Sequence, residues 1–213
     1  MKGSTHLAIG VAIGAAAAVY YPFSVMNAAV YVAVAGVSAL SADLDGPSIL
    51  SSKLGKLSKL IYSLIQGGGW LLAGAVAYLY AADQYFNLKL AIFSVAVVLA
   101  GLFAGRGAIR NALVTAVGCG MMYAGFMANM TWLIGFGLFV GIAPWLKHRG
   151  MTHTVWAVIA WGAIGLGLER ELQLEGLMRV AVLGYLSHLI ADTLTPSGVK
   201  WFYPIFKKSI KLR

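Results

Sequence analysis

Charge is scarce in this chain. Of 213 residues only 11% are Asp, Glu, Lys or Arg, whereas 60% are hydrophobic. Soluble domains carry about 25% charged and roughly 45–50% apolar residues, so a soluble globule is excluded. Cysteine is nearly absent. Cys119 stands alone within an apolar run, which rules out an intrachain disulfide and a thiolate metal knuckle. The five prolines and 26 glycines show no collagen period; the glycines lie inside apolar runs, where small residues let membrane helices approach closely. Alternating polar and apolar positions, the mark of barrel strands, are also missing. What remains is an all-α chain.

Long apolar runs are abundant. A spanning helix needs about 20 mostly apolar residues, since the hydrocarbon layer is ~30 Å thick and each residue rises ~1.5 Å. Reading the runs against charges and Gly/Pro punctuation predicts eight transmembrane helices at 7–21, 25–40, 60–82, 88–104, 109–126, 130–146, 153–168 and 177–191. Lys2 before an apolar stretch resembles a signal peptide, but His6 interrupts its start and seven more runs follow, so an uncleaved first helix is expected. No repeat or long linker divides the chain. A single membrane domain over 1–213 is expected, with a basic tail over 199–213.

The positive charges predict orientation. With this helix order, 13 of the 16 Lys and Arg residues fall on the face that holds both termini, leaving Lys89, Arg170 and Arg179 opposite. Positive loops resist translocation, so both termini are expected in the cytoplasm. The net charge of +9 then needs no nucleic acid as partner. Loops beside an anionic leaflet are ordinarily basic, and the tail carrying Lys200, Lys207, Lys208, Lys211 and Arg213 is expected to rest on anionic lipid.

Ionisable groups near hydrocarbon are costly unless paired, so the few present demand explanation. On the predicted topology His6, Asp43, Asp45, His148, His153, His188 and Asp192 share the cytoplasmic face. Asp83, Glu169, Glu171 and Glu175 fall opposite as solvated loop residues. His188 and Asp192, four apart on a helix, share one side. Asp43-Leu44-Asp45, read as extended backbone before Gly46-Pro47, would point both carboxylates the same way. His148 and His153 flank Gly150, a hinge at a helix start. Imidazole with carboxylate suits zinc foremost, then manganese or iron, and seven such groups could hold two or three divalent ions. Each residue has a plainer reading singly: a hydrogen-bonded core histidine, or Asp192 as a helix-end cap with Thr193 and Thr195. A shared metal explains all of them together.

Thr5-His6 with Gly10, Asp43-Leu44-Asp45, His148-Arg149-Gly150-Met151-Thr152-His153-Thr154, and His188 to Asp192 with Thr195 and Gly198 resemble a known pattern. It is that of the YdjM-like family, bacterial and archaeal inner-membrane proteins described as metal-dependent hydrolases. The resemblance runs from the first helix to 201–204, with little from the middle helices. It implies a membrane-embedded, metal-dependent hydrolase. The chain departs from the family pattern at Ala42, where a proline precedes the first aspartate, and at Gly46, where a histidine follows the second. A more distant likeness to zinc-dependent phospholipases C and nucleases suggests phosphoester cleavage by analogy.

On that reading Arg149 and Asp45 are the expected catalytic residues. Arg149 would clamp phosphate oxygens through its planar fork, Lys147 would assist, and Thr5, Thr152 and Thr154 would orient ligands. The last two helices, 16 and 15 residues long as predicted, would span only about 22–24 Å. Their polar ends are thus expected near headgroup depth, open to a lipid or other amphiphilic phosphoester. A cation transporter or a non-catalytic metal-binding membrane protein are the alternatives from other classes. The Gly10/Gly14, Gly101/Gly105 and Gly137/Gly141 spacings permit tight helix contacts within or between chains, leaving the oligomeric state open.

Overall fold

The computed structural model describes every residue except Ala104 and Arg213, so the ends of the predicted 88–104 helix and of the tail lie outside the described residues. Among the described residues eight α-helices occupy the eight predicted runs: α1 (Gly3–Tyr20), α2 (Val25–Ser41), α3 (Ser52–Asp83), α4 (Leu88–Phe103), α5 (Arg106–Met127), α6 (Thr131–Ile142), α7 (Val155–Leu172) and α8 (Leu177–Thr193). No strand occurs among the described residues; one isolated bridge joins Val199 to Ile210. Among the described residues three segments, α1, Val25–Asp45 and α3, are long and apolar enough by themselves to cross a membrane.

The helix ends follow local chemistry. Ser24 caps α2 by accepting the Asn27 amide at 3.0 Å, and Thr154 caps α7 by accepting the Ala157 amide at 3.3 Å. Gln173 closes α7 in the left-handed region. Three expectations need correction. Lys53, Lys56 and Lys59, left outside the predicted 60–82 helix, lie in the first turns of α3, which starts at Ser52 because Gly55 is the one poor helix former among the Lys and Leu residues of that stretch. His153 does not open α7 but sits in a 3-10 turn (Met151–His153), since Thr154 takes the cap. The Asp43-Leu44-Asp45 stretch is not extended: α2 tightens into a 3-10 turn (Ala42–Asp45) before Gly46.

The chain packs as two compact units, residues 1–51 with 114–213 and residues 52–113. In the smaller unit α3 and α4 pair where glycine permits. A Cβ on Gly69 would lie 3.1 Å from the Val98 nitrogen, and one on Gly101 would lie 3.2 Å from Gln66 Cα. The guanidinium of Arg106 sits over the Tyr62 ring.

In the larger unit α1, α2, α7 and α8 form the packed centre, with α6 against α7. Contact is again made through missing side chains. A Cβ on Gly14 would lie 2.5 Å from Val32 Cα, and one on Gly184 would lie 2.7 Å from the Ala35 oxygen. Gly118 meets Gly137 and Gly141 in the same way, so these small-residue faces, Gly10 and Gly14 included, are used within the chain. The distribution of polarity is inverted relative to a soluble fold. Trp70, Leu71, Phe103 and Val19 are exposed, while His6, His153, His188 and Asp192 are each at most 2% exposed. Apolar outside and ionisable inside is what a hydrocarbon solvent demands.

Candidate metal centre

The polar residues gather at one end of the larger unit. His6 comes from the first turns of α1, Asp43 and Asp45 from the turn after α2, His148, Arg149, Thr152 and His153 from the α6–α7 connection, and His188 and Asp192 from the last turns of α8. Three groups place their ligand atoms within 4.8 Å of one another: His6, Asp43 and His188; His153, His188 and Asp192; Asp43, Asp45 and His148. Together they contain all seven residues singled out in the sequence. Asp43 and His188 are each shared by two groups, and of the two only the Asp43 carboxylate has the lone pairs to bridge.

Hydrogen bonds fix the chemistry of the rings. His188 Nδ1 lies 2.7 Å from the Ala39 carbonyl oxygen, which can only accept. Nδ1 therefore carries a proton, and in the neutral ring Nε2 holds the lone pair. At His153 the same logic takes one more step. The Thr152 hydroxyl donates to Asp45 Oδ2 at 2.6 Å, so its oxygen must accept from His153 Nδ1 at 2.9 Å. Again Nε2 carries the lone pair. Both tautomers are thus assigned from the network.

These lone pairs face carboxylates rather than donors. His188 Nε2 is 3.5 Å from Asp43 Oδ1 and 3.9 Å from Asp192 Oδ2; His153 Nε2 is 3.9 and 3.8 Å from the same two oxygens. Neither Nε2 has a hydrogen-bond partner, nor has His6 Nδ1. With the rings neutral, acceptor faces acceptor in a buried site, which is repulsive unless a cation lies between them. Tetrahedral zinc with ligands at 2.0–2.2 Å implies ligand-to-ligand separations of about 3.3–3.6 Å, close to those found. Donor set, burial and spacing therefore fit a divalent metal.

Around this centre Asp45 is the organiser. Its Oδ1 accepts from His148 Nδ1 at 2.7 Å, and its Oδ2 accepts from the Arg149 amide at 2.9 Å as well as from Thr152. One carboxylate thus holds three successive parts of the α6–α7 connection. That connection is constrained by its backbone too. Gly150 is obligatory, because a Cβ there would lie 2.6 Å from the Lys147 oxygen. Arg149 stands at φ 58°, a conformation that costs a non-glycine residue energy and recurs at functional sites. Its guanidinium reaches Asp192 Oδ2 at 3.1 Å. Asp192 Oδ1 receives the terminal amine of Met1 at 2.7 Å and lies 3.4 Å from His6 Nε2. The His6 ring stacks on that of His188 at 3.8 Å.

Gly46 has a physical counterpart here: the His148 ring lies over it, 3.3 Å from where a Cβ would be. A side chain at 46 would compete with that imidazole for space. Thr154, expected to orient a ligand, instead caps α7 and donates to the Met151 oxygen. Sequence reasoning missed the Ala39 carbonyl and Tyr185, whose hydroxyl donates to the Thr152 oxygen at 2.5 Å. Tyr185 stands one turn before His188 on the same face of α8, which was the available signal.

A bundle with an apolar exterior and a buried His/Asp centre at one end defines a helical membrane protein with a candidate metal site. The chain belongs to the YdjM inner membrane protein family, whose model matches residues 1–213. It is 41% identical over 70 residues to inner membrane protein YdjM of Escherichia coli (strain K12) and equally to that of Shigella flexneri. The matched stretch covers 30% of this chain and 33% of each relative. No solved structure matches it. The inner membrane is accordingly its location.

Proposed function

We propose that the chain is a multi-pass, metal-dependent hydrolase that cleaves a phosphoester of a lipid or amphiphilic substrate at the cytoplasmic face of the inner membrane. The observation that carries this reading is the pair of buried Nε2 lone pairs on His153 and His188, each aimed at Asp43 and Asp192. His6, Asp43, His153, His188 and Asp192 would hold the buried ion, and Asp43, Asp45 and His148 a second, more accessible one; zinc suits this donor set, with manganese or iron as alternatives. A divalent ion bound there supplies a polarised phosphoryl oxygen and a water whose pKa falls to about 7.

The protein's own groups do the rest. Arg149, held by Asp45 through its backbone and within reach of the centre through its guanidinium, grips two phosphate oxygens and neutralises charge as the ester bond breaks. Asp45 fixes His148, Arg149 and Thr152 relative to one another. Asp43, 22% exposed, and half-exposed His148 give the approach for substrate.

Orientation rests on the positive-inside distribution, with both termini cytoplasmic. The segment after α8 supports contact with anionic lipid. It folds back through the Val199–Ile210 bridge and the Trp201 Nε1 bond to Thr193, presenting Phe202, Ile205 and Phe206 beside Lys200, Lys207 and Lys208. The test is elemental analysis of purified protein beside hydrolysis of labelled phospholipids. Wild type is expected to carry zinc and turn over, and Asp192→Ala to do neither. A metal-loaded, active Asp192→Ala protein overturns the reading.

A further inference from the structure

An apolar pocket of about 200 Å³ opens between α2, α6, α7 and α8, walled by Val34, Phe136, Trp161, Ile164, Leu168 and Ala181. Many waters would fit that volume, at ~30 Å³ each in the liquid, but the walls offer water at most one free indole donor, the buried N–H of Trp132, where an ordered water needs two to four partners. The indole N–H of Trp161 is already spent on Ser38 Oγ at 2.8 Å. The occupant must be apolar. It must also be thin, because a helix is about 10 Å across with its side chains and cannot enter.

Position narrows the choice further. Ala181 lies two turns of α8 before His188, about 10 Å along the helix, and Leu168 lies two further turns of α7 beyond Trp161, so the pocket spans roughly 10–20 Å from the His/Asp cluster. One leaflet of the hydrocarbon layer is about 15 Å deep. Ala33 and Val37 are exposed at the mouth, whereas Ser38, Trp161 and Ala181 are buried at its floor, so it opens sideways toward lipid.

We propose that this pocket binds one hydrocarbon chain of the amphiphile whose phosphate the metal centre receives, which rests on the hydrolase reading above. The cluster reads the head, the pocket selects a substrate with a long chain, and the separation between them sets how the ester is presented. Val37→Trp, at an exposed position, blocks the mouth without overpacking the floor.

The test uses the full chain in phosphatidylethanolamine vesicles containing phosphatidylglycerol with a diazirine in mid-chain, and peptide mapping after illumination. Label is expected to concentrate on residues 33–38, 132–136 and 161–168 and to fall severalfold in Val37→Trp, with zinc content unchanged. Label spread evenly over outward positions such as Trp70 and Leu71, and indifferent to Val37→Trp, means that only bulk lipid touches the groove and overturns the proposal. Labelling reads occupancy without turnover. A protein that labels in the pocket yet hydrolyses nothing therefore defeats the hydrolase reading and leaves the chain site standing, whereas one that hydrolyses short- and long-chain esters alike and labels nowhere in the pocket defeats the chain site alone.

Discussion

The Thr152 hydroxyl donates to Asp45 Oδ2 at 2.6 Å, and this single proton decides which nitrogen of His153 is free. Thr152→Val keeps shape and removes the hydroxyl. The His153 ring then loses its Nδ1 hydrogen bond to Thr152, and only Asp45 Oδ2, 3.5 Å from Nδ1, is left to favour that tautomer. Zinc affinity is expected to fall about 10–100-fold, the usual cost of losing a group that orients a metal-bound histidine, and Thr152→Ser should restore most of it. Competition with a chromogenic chelator measures this. Unchanged affinity in Thr152→Val would show that the hydroxyl does not set the tautomer.

Asp45→Asn tests the organiser. An amide has one acceptor oxygen where the carboxylate offers two, so it cannot satisfy His148, the Arg149 amide and Thr152 together. Each lost bond to a charged acceptor is worth about 1.5–3 kcal/mol, and Arg149 at φ 58° relies on this anchorage to remain in place. The expected result is a lower unfolding midpoint together with faster amide exchange across residues 147–153. A variant as stable as wild type, with protected amides there, would contradict the role.

How much of this was legible in the sequence depends on the range of each interaction. The His188/Asp192 pair was, because helical periodicity is local and four residues always share a side. Helix positions were equally open, since long apolar runs declare themselves. The Asp43/Asp45 geometry was not: two carboxylates around a leucine fit extended backbone and a 3-10 turn equally well, and the end of α2 decides. Nor could the Ala39 carbonyl be foreseen as the acceptor for His188. That contact exists only because Gly184 lets α8 settle onto Ala35 of α2, a packing event between segments far apart in the chain.

Gly184→Ala should therefore harm the metal centre from a distance. Its new Cβ would meet the Ala35 oxygen at 2.7 Å and Ser38 Cβ at 2.9 Å, and backbone cannot yield as a flexible side chain would. Forced separation of packed elements typically costs 1–3 kcal/mol, and here it also stretches the Ala39–His188 bond. Gly74→Ala is the control, with nothing within 4 Å of the added carbon. Relief of backbone entropy should stabilise it by roughly 0.5–1 kcal/mol. Thermal unfolding in detergent with parallel zinc analysis separates them: loss of stability and zinc in the first, a slight gain of stability and full zinc in the second.

Removing the metal should destabilise one unit selectively. A ligand present at 100 times its dissociation constant stabilises the folded state by about 2.7 kcal/mol, and a chelator withdraws that contribution. It also leaves Asp43 and Asp192 facing the bare lone pairs of His153 and His188 in a buried site, so local opening there becomes easier. All seven candidate ligands belong to the unit of residues 1–51 and 114–213, and none to α3 or α4. Hydrogen exchange after chelation is expected to accelerate at the start of α1, across 147–154 and at the end of α8, to stay constant in α3 and α4, and to reverse when zinc is restored. Uniform acceleration in both units, or none anywhere, would place the stabilising ion elsewhere than among these residues.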